Sequence, residues 1–183
     1  MTKHDQLYQQ AQQYLPGGVS ASFRLNKATG RPLYLSHGDG ARLYDVDGQE
    51  YIDMCVSHGA SLLGHNHPAI KAAYQQALDL GILCSYETEH QTLLAKRITE
   101  MVPCAEMVRF AGGGGEATAA AARTVRGFTG REVILNCGYR GWPDVWAITT
   151  GDPGVPEVLG SYVATFQEFD LDHLQAKLQQ HHG

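Results

Sequence analysis

The sequence predicts an α/β fold: antiparallel strands near the start, then a parallel sheet covered by helices. Three observations carry this. Residues 33–54, "LYLSHGDGARLYDVDGQEYIDM", hold β-type residues broken by Gly38-Asp39-Gly40 and Asp47-Gly48, which are turn signals. From about residue 66 the patterns run helix, helix, strand, helix, strand, loop, strand, helix. That alternation lays parallel strands under helices. Between the first of those strands and its following helix stand four glycines in a row, Gly112–Gly115.

Each element has its own signal. Leu7, Tyr8, Ala11, Tyr14 and Leu15 lie near helical spacing and predict a helix over 5–15, stopped by Pro16-Gly17-Gly18. "HPAIKAAYQQALDLG" opens with Pro68 in a first-turn position and closes at Gly81. "EHQTLLAKRITEMVP" is a second helix, closed by Pro103. "AEMVRFA" predicts a short buried strand. "EATAAAARTVRGFTG" is an alanine-rich helix that Gly127 or Gly130 stops. "REVILNCG" and "SYVATFQEFD" supply two further strands, and "LDHLQAKLQQHHG" is a helix that Asp170 is placed to cap. The domain expectation is residues 1–65 as helix and antiparallel strands, and 66–183 as the first part of a larger α/β domain. The chain stops after a helix, where another strand would follow.

Composition narrows the partners. The chain has 183 residues, 43% hydrophobic and 18% charged, with 14 basic and 19 acidic residues and a net charge of −5. That is ordinary for a globular protein. With no basic stripe, nucleic acid is not an expected partner. No run of about 18 apolar residues exists, so no membrane span is expected. The four cysteines, Cys55, Cys84, Cys104 and Cys137, are far apart and form no CxxC pair. They point to a reducing compartment, with the cytoplasm as the expected location. His65 and His67 in "GHNHP" lack a third ligand at usable spacing, and no metal site is expected.

The glycine run has a physical reading. A strand, a glycine loop and a helix together aim backbone N–H groups at an anion, because the first N–H groups of a helix lack partners and the helix dipole favours negative charge there. A P-loop requires Gly-Lys-Ser/Thr next, and Glu116-Ala117 stands there instead. The residues alone therefore leave open which phosphate is held, and a merely tight turn is the plain alternative.

The stretches around the run resemble a known family. "LYDVDGQEYIDM…GHNHPAI", "VRFAGGGGEATAAAARTVRGFTGREVIL" and "GYRGWPDVW" are similar to class III aminotransferases dependent on pyridoxal 5'-phosphate (PLP), in the branch of the aminotransferases and glutamate-1-semialdehyde 2,1-aminomutase. "YLPGGVSASFR" is similar to the opening of that branch. The resemblance covers nearly the whole chain. It implies a fold type I PLP-dependent transferase, truncated: an N-terminal segment and the first part of the large domain.

The resemblance also implies roles. The family's Ser-Gly-Thr/Ser-Glu-Ala loop falls on Gly113, Gly114, Gly115, Glu116 and Ala117, where the N–H groups of Gly114 and Gly115 would hold the PLP phosphate. The family's Tyr-His-Gly falls on Tyr139, Arg140 and Gly141, with Tyr139 stacked on the pyridine ring. Arg24 is placed to meet a substrate carboxylate as a bidentate pair. His58 stands where the aminomutase carries an aromatic residue in the substrate pocket. Gly113, Gly115 and Arg140 depart from the family pattern.

In the family a Schiff-base lysine and an aspartate on the pyridinium lie beyond the place where this chain stops. Lys3, Lys27, Lys71, Lys96 and Lys177 lack that lysine's context. The chain is thus expected to be an N-terminal fragment with no catalytic residue of its own and no activity alone. The substrate is expected to be a small amino acid or amino-aldehyde, and the full-length protein a homodimer. A lone fragment, with its sheet edge open, is expected to aggregate. The competing expectation is a non-catalytic remnant, or half of a split enzyme, that keeps only the phosphate loop.

Overall fold

A computed structural model describes residues 1–83 and 85–181; Cys84 and His182 lie outside them. The chain separates into two compact units, Met1–Glu87 and Thr88–Gly183.

The first unit opens with helix α1 (Lys3–Ala11). Thr2 and Asp5 cap it reciprocally, each side chain accepting the other residue's N–H. That box moves the helix start ahead of the predicted residue 5, and the helix closes at Ala11 rather than 15. The chain then turns at Gly17 and Gly18 (φ 65° and 71°). A Cβ at Gly18 would lie 2.5 Å from the Tyr8 ring, so only glycine fits under that helix. Strands β1 (Leu35–Asp39), β2 (Arg42–Asp45) and β3 (Glu50–Ile52) form an antiparallel sheet in that order, with Gly38 opposite Leu43 and Leu43 opposite Tyr51.

Two polar residues form the buried centre of this unit. His4 is 3% exposed and Asp45 is 4% exposed. The Tyr34 N–H donates to His4 Nδ1 (3.2 Å), so the ring proton sits on Nε2, which reaches Asp45 Oδ2 at 3.1 Å. Asp45 also accepts from the Tyr51 hydroxyl (3.0 Å) and from the N–H groups of Asp47 (2.9 Å) and Gln49 (2.8 Å). Burial pushes the Asp45 carboxyl up, but these donors together outweigh it and hold the group at about 2. The turn predicted at Asp47-Gly48 is the one observed.

After β3 comes a single turn, α2 (Val56–Gly59), with an inverted hand. Val56, Ser57 and His58 have φ of 50°, 49° and 55°. Such a conformation costs about 1–2 kcal/mol per residue that carries a side chain. Helix α3 (Pro68–Asp79) follows, with Pro68 in its first turn and Gly81 (φ 85°) beyond its end, as its sequence signals predict.

The second unit contains α4 (Glu89–Met101), α5 (Gly114–Thr129), β4 (Ile134–Asn136), α6 (Asp144–Ala147), β5 (Val163–Thr165) and α7 (Leu171–Gln180). Strands β4 and β5 pair in parallel, Leu135 against Ala164. Helix α5 runs through Gly127 and ends at Gly130 (φ 68°), so the second of the two predicted stops is used. Asp170 caps α7 by accepting the His173 N–H at 2.8 Å. The strand predicted within "AEMVRFA" is not formed: residues 108–111 lie outside any strand. A strand exists through its ladder, and among the described residues nothing pairs with this one.

Four buried apolar residues, Ala122, Trp146, Ala147 and Val163, belong to this second unit. In both units large apolar side chains stand in the open, among them Ile82 (91% exposed), Met107 (90%) and Phe128 (91%). The chain exposes 14447 Å². Two separate globular units sharing its 20.0 kDa equally would expose about 10,500 Å². No helix among the described residues is long and apolar enough to cross a membrane.

Candidate functional site

The glycine loop leads directly into α5. Gly113 is the residue that caps the helix, and no side chain caps it. The first intrahelical bond runs from the Ala117 N–H to the Gly113 carbonyl (3.0 Å), which leaves the N–H groups of Gly114 and Gly115 unpaired by helix geometry. A Cβ built at Gly113 or Gly114 meets nothing within 4 Å, so the loop is open around those two residues. The helix behind them is 16 residues long and adds its dipole to the site. Glu116 folds back over the loop, its Oε2 accepting the Gly112 N–H at 2.8 Å.

Such an arrangement suits a phosphate: free N–H groups, open space and the positive end of a long helix. Of the two glycines that stand in place of hydroxyl residues, Gly115 is the crowded one. A Cβ there would lie 3.2 Å from Pro143 Cδ.

Tyr139 and Arg140 follow β4. Tyr139 is 74% exposed and has no hydrogen-bonded partner on its hydroxyl among the described residues, so its ring face is free to stack. Arg140 is bound to its own loop: Nη1 donates to the Tyr139 carbonyl (2.8 Å) and Nη2 to Cys137 Sγ (3.3 Å). This segment is tied to the glycine loop through Thr118, whose hydroxyl lies 2.9 Å from the Arg140 carbonyl and 3.0 Å from the Gly115 carbonyl. The structure thus brings together Gly113, Gly114, Gly115, Tyr139 and Arg140 at one end of the second unit.

Arg24 and His58 share a separate setting in the first unit. Both line a cavity of about 630 Å³ whose walls include Phe23, Tyr34 and Asp53. The His58 ring meets Phe23 edge-on, with centroids 5.8 Å apart and planes at 80°. The Arg24 guanidinium lies 5.7 Å from the Phe23 ring centroid and donates to Ser20 Oγ at 2.7 Å. No carboxylate pairs with it among the described residues.

Sequence reasoning missed what holds this cavity wall. Asp53 Oδ1 accepts the N–H groups of Cys55 and Val56 (both 2.9 Å), and Oδ2 meets His65 Nε2 at 2.7 Å. The His65 hydrogen bond first, then the Val56 N–H, hold the Asp53 carboxyl below its ordinary value. Asp53 therefore pins the inverted turn that carries His58. His67 Nδ1 accepts the Ala69 N–H (3.3 Å) at the start of α3. The only signal for Asp53 was its position just after a strand. Asn136 at the end of β4 was also missed; it is 4% exposed and its Oδ1 has no partner among the described residues.

Of the lysines on helices, Lys96 pairs with Glu100 (3.4 Å) and Lys177 donates to Gln180 (3.2 Å), while Lys71 lies exposed on α3.

Comparison with known proteins fits this geometry. The model of the family described as Aminotransferase class-III matches residues 25–181. An omega-transaminase from Sphaerobacter thermophilus is 28% identical with a TM-score of 0.92; the match covers 98% of this chain and 45% of that one. The FumI protein of Sphingopyxis sp. MTA144, in its PLP internal aldimine form, is 29% identical with a TM-score of 0.89, covering 99% of this chain and 44% of that one. A glutamate-1-semialdehyde-aminomutase from Pseudomonas aeruginosa PAO1, 22% identical with a TM-score of 0.78, shares the fold over 97% of this chain and 42% of its own. The chain therefore spans less than half the length of each of these proteins. Pyridoxal 5'-phosphate is the cofactor that goes with this family and fold. With an anion-ready helix start and a family match over residues 25–181, the chain belongs to the class III aminotransferases.

Proposed function

We propose that this chain supplies the phosphate-binding and ring-stacking part of a PLP-dependent amino-group-transferring enzyme. The unpaired N–H groups of Gly114 and Gly115 at the open start of α5 carry this reading. They receive the cofactor phosphate, with Gly113 leaving room above them. Tyr139 lies against the pyridine face, and Arg140 fixes the loop from which Tyr139 projects. The bound cofactor supplies an electron sink for the substrate Cα–H bond. In the first unit, Arg24 has no carboxylate of its own and receives a substrate carboxylate, while Phe23 and His58 line the apolar part of the cavity. The substrate class is a small amino acid or amino-aldehyde. The Schiff-base lysine comes from residues outside this chain, so the 183 residues alone do not transfer amino groups. In this reading the whole enzyme is a cytoplasmic homodimer, and open side chains such as Met107 and Phe128 face other parts of it.

The competing reading, a non-catalytic binding remnant, is favoured by one observation: Gly113 and Gly115 have no hydroxyl to add to the cradle. Titration of the protein with PLP and with pyridoxal, followed by quenching of the Trp142 and Trp146 fluorescence, tests the cradle. PLP is expected to bind at least tenfold tighter than pyridoxal, since charge-assisted hydrogen bonds to the phosphate are lost in the latter. Equal affinities would overturn the cradle.

A further inference from the structure

Thr118 and Trp146 stand outside every role assigned so far, and their geometry is specific. Thr118 is the fifth residue of α5 and is half-buried. Its Oγ1 accepts from Trp146 Nε1–H at 3.1 Å. Its one hydroxyl proton has two carbonyls in range, Gly115 at 3.0 Å and Arg140 at 2.9 Å. The Gly115 carbonyl already lies inside the helix ladder. The Arg140 carbonyl has no other donor among the described residues, so the hydroxyl serves it best. Trp146 is 6% exposed and fixed in the core of the second unit. The line from Trp146 through Thr118 to Arg140 therefore connects the core to the segment that carries Tyr139.

The backbone closes the same joint from the other side. Gly141 has φ 130°, and a Cβ on it would lie 3.1 Å from Gly115 Cα and 3.2 Å from Pro143 Cδ. A Cβ on Gly115 would likewise lie 3.2 Å from Pro143 Cδ. Gly115, Gly141 and Pro143 are thus packed without room for another side chain, and the Tyr139–Gly141 segment is pressed onto the start of α5.

We propose that Thr118 is a positioning residue: its hydroxyl, held by Trp146, clamps the segment carrying Tyr139 against the glycine loop and so sets where the cofactor ring lies relative to its phosphate. The effect on the cofactor rests on the proposed phosphate cradle. The clamp itself does not.

The test separates ring from phosphate. In the protein, Thr118→Val keeps the shape and loses the hydroxyl, and Thr118→Ser restores it. Three quantities are read: affinity for PLP, affinity for inorganic phosphate as a competitor, and the Trp146 emission without ligand in a Trp142→Phe background. Thr118→Val is expected to weaken PLP roughly tenfold, to leave inorganic phosphate within twofold, and to shift the Trp146 emission, because a buried indole donor and the Arg140 carbonyl lose their partner. Thr118→Ser is expected to behave like the parent. Should Thr118→Val fail to fold, Trp146→Phe, which removes the N–H while keeping the bulk, is expected to give the same split between PLP and phosphate. Unchanged PLP affinity, or equal losses for PLP and phosphate, would overturn the positioning role. If the parent protein itself binds phosphate no better than chloride, the cradle falls, and the Trp146 emission in Thr118→Val still decides the clamp.

Discussion

The turn after β2 and the loop before α5 treat their backbone N–H groups in opposite ways. In the first, one carboxylate, Asp45, gathers two N–H groups, a phenol and an imidazole, and nothing is left over. In the second, the helix start keeps N–H groups free, and the nearby carboxylate of Glu116 turns away to Gly112. Both lie beside a strand or helix end, and both contain glycine. The difference is whether the chain satisfies its own donors. A saturated cluster holds a fold together. An unsaturated one, in open space, is an invitation to an anion.

The largest effect expected from this contrast is at Asp45. Asp45→Ala strands the buried His4 and frees α1 from the sheet, and a fall in melting temperature on the order of 10 °C is expected by circular dichroism. Acid acts on the same group. Its folded-state titration is depressed to about 2, so its stabilisation is complete above the unfolded value near 4 and is lost as pH falls from about 4 to 2. Asp53, held low by His65, and Asp5, held low by the Thr2 backbone and hydroxyl, add in the same direction. The first unit is therefore expected to unfold in that window, and a first unit unchanged at pH 2 would remove Asp45 as its central tie.

The next effect lies within the glycine loop. Gly115→Ser drives a side chain into Pro143 and is expected to cost about 1–3 kcal/mol, with Pro143→Ala in the same chain recovering most of it. Denaturant melts of the two single variants and the double variant measure the coupling, and strictly additive effects would contradict the contact.

The smallest is at Gly113. Its φ of −165° suits any residue, and it has open space around it. Gly113→Ser is expected to add a few tenths of a kcal/mol by capping α5 and to tighten PLP modestly. The two missing hydroxyls of the loop are thus unequal: one site has room for it and the other does not.

Much of the fold was legible because its signals are local. Pro68 and Gly81 bound α3, Asp170 caps α7, and Gly130 ends α5, each by chemistry within four residues. The glycine loop was legible for the same reason. The strand at 105–111 was misread because its apolar pattern is local but its hydrogen-bonding partner is not. The inverted turn at Val56–His58 left no trace, since a reader looks for glycine at positive φ and finds Val, Ser and His. His4 and Asp45 are 41 residues apart, and Thr118 and Trp146 are 28 apart. No spacing rule links such pairs before the chain has folded. Arg24 and His58 were found through likeness to a family, and the structure adds that they share a wall of one cavity.

That inverted turn stores energy. Three residues at about 1–2 kcal/mol each amount to a few kcal/mol, a sizeable fraction of the roughly 4–13 kcal/mol expected to stabilise a unit of this length. Asp53 holds it cocked from one side. A ligand that seats in the cavity and draws His58 out of the left-handed region collects part of that energy as affinity, and one that leaves His58 in place collects none. Under the proposed substrate role of this cavity, selectivity is then a matter of which guest releases the spring, as well as which guest fits.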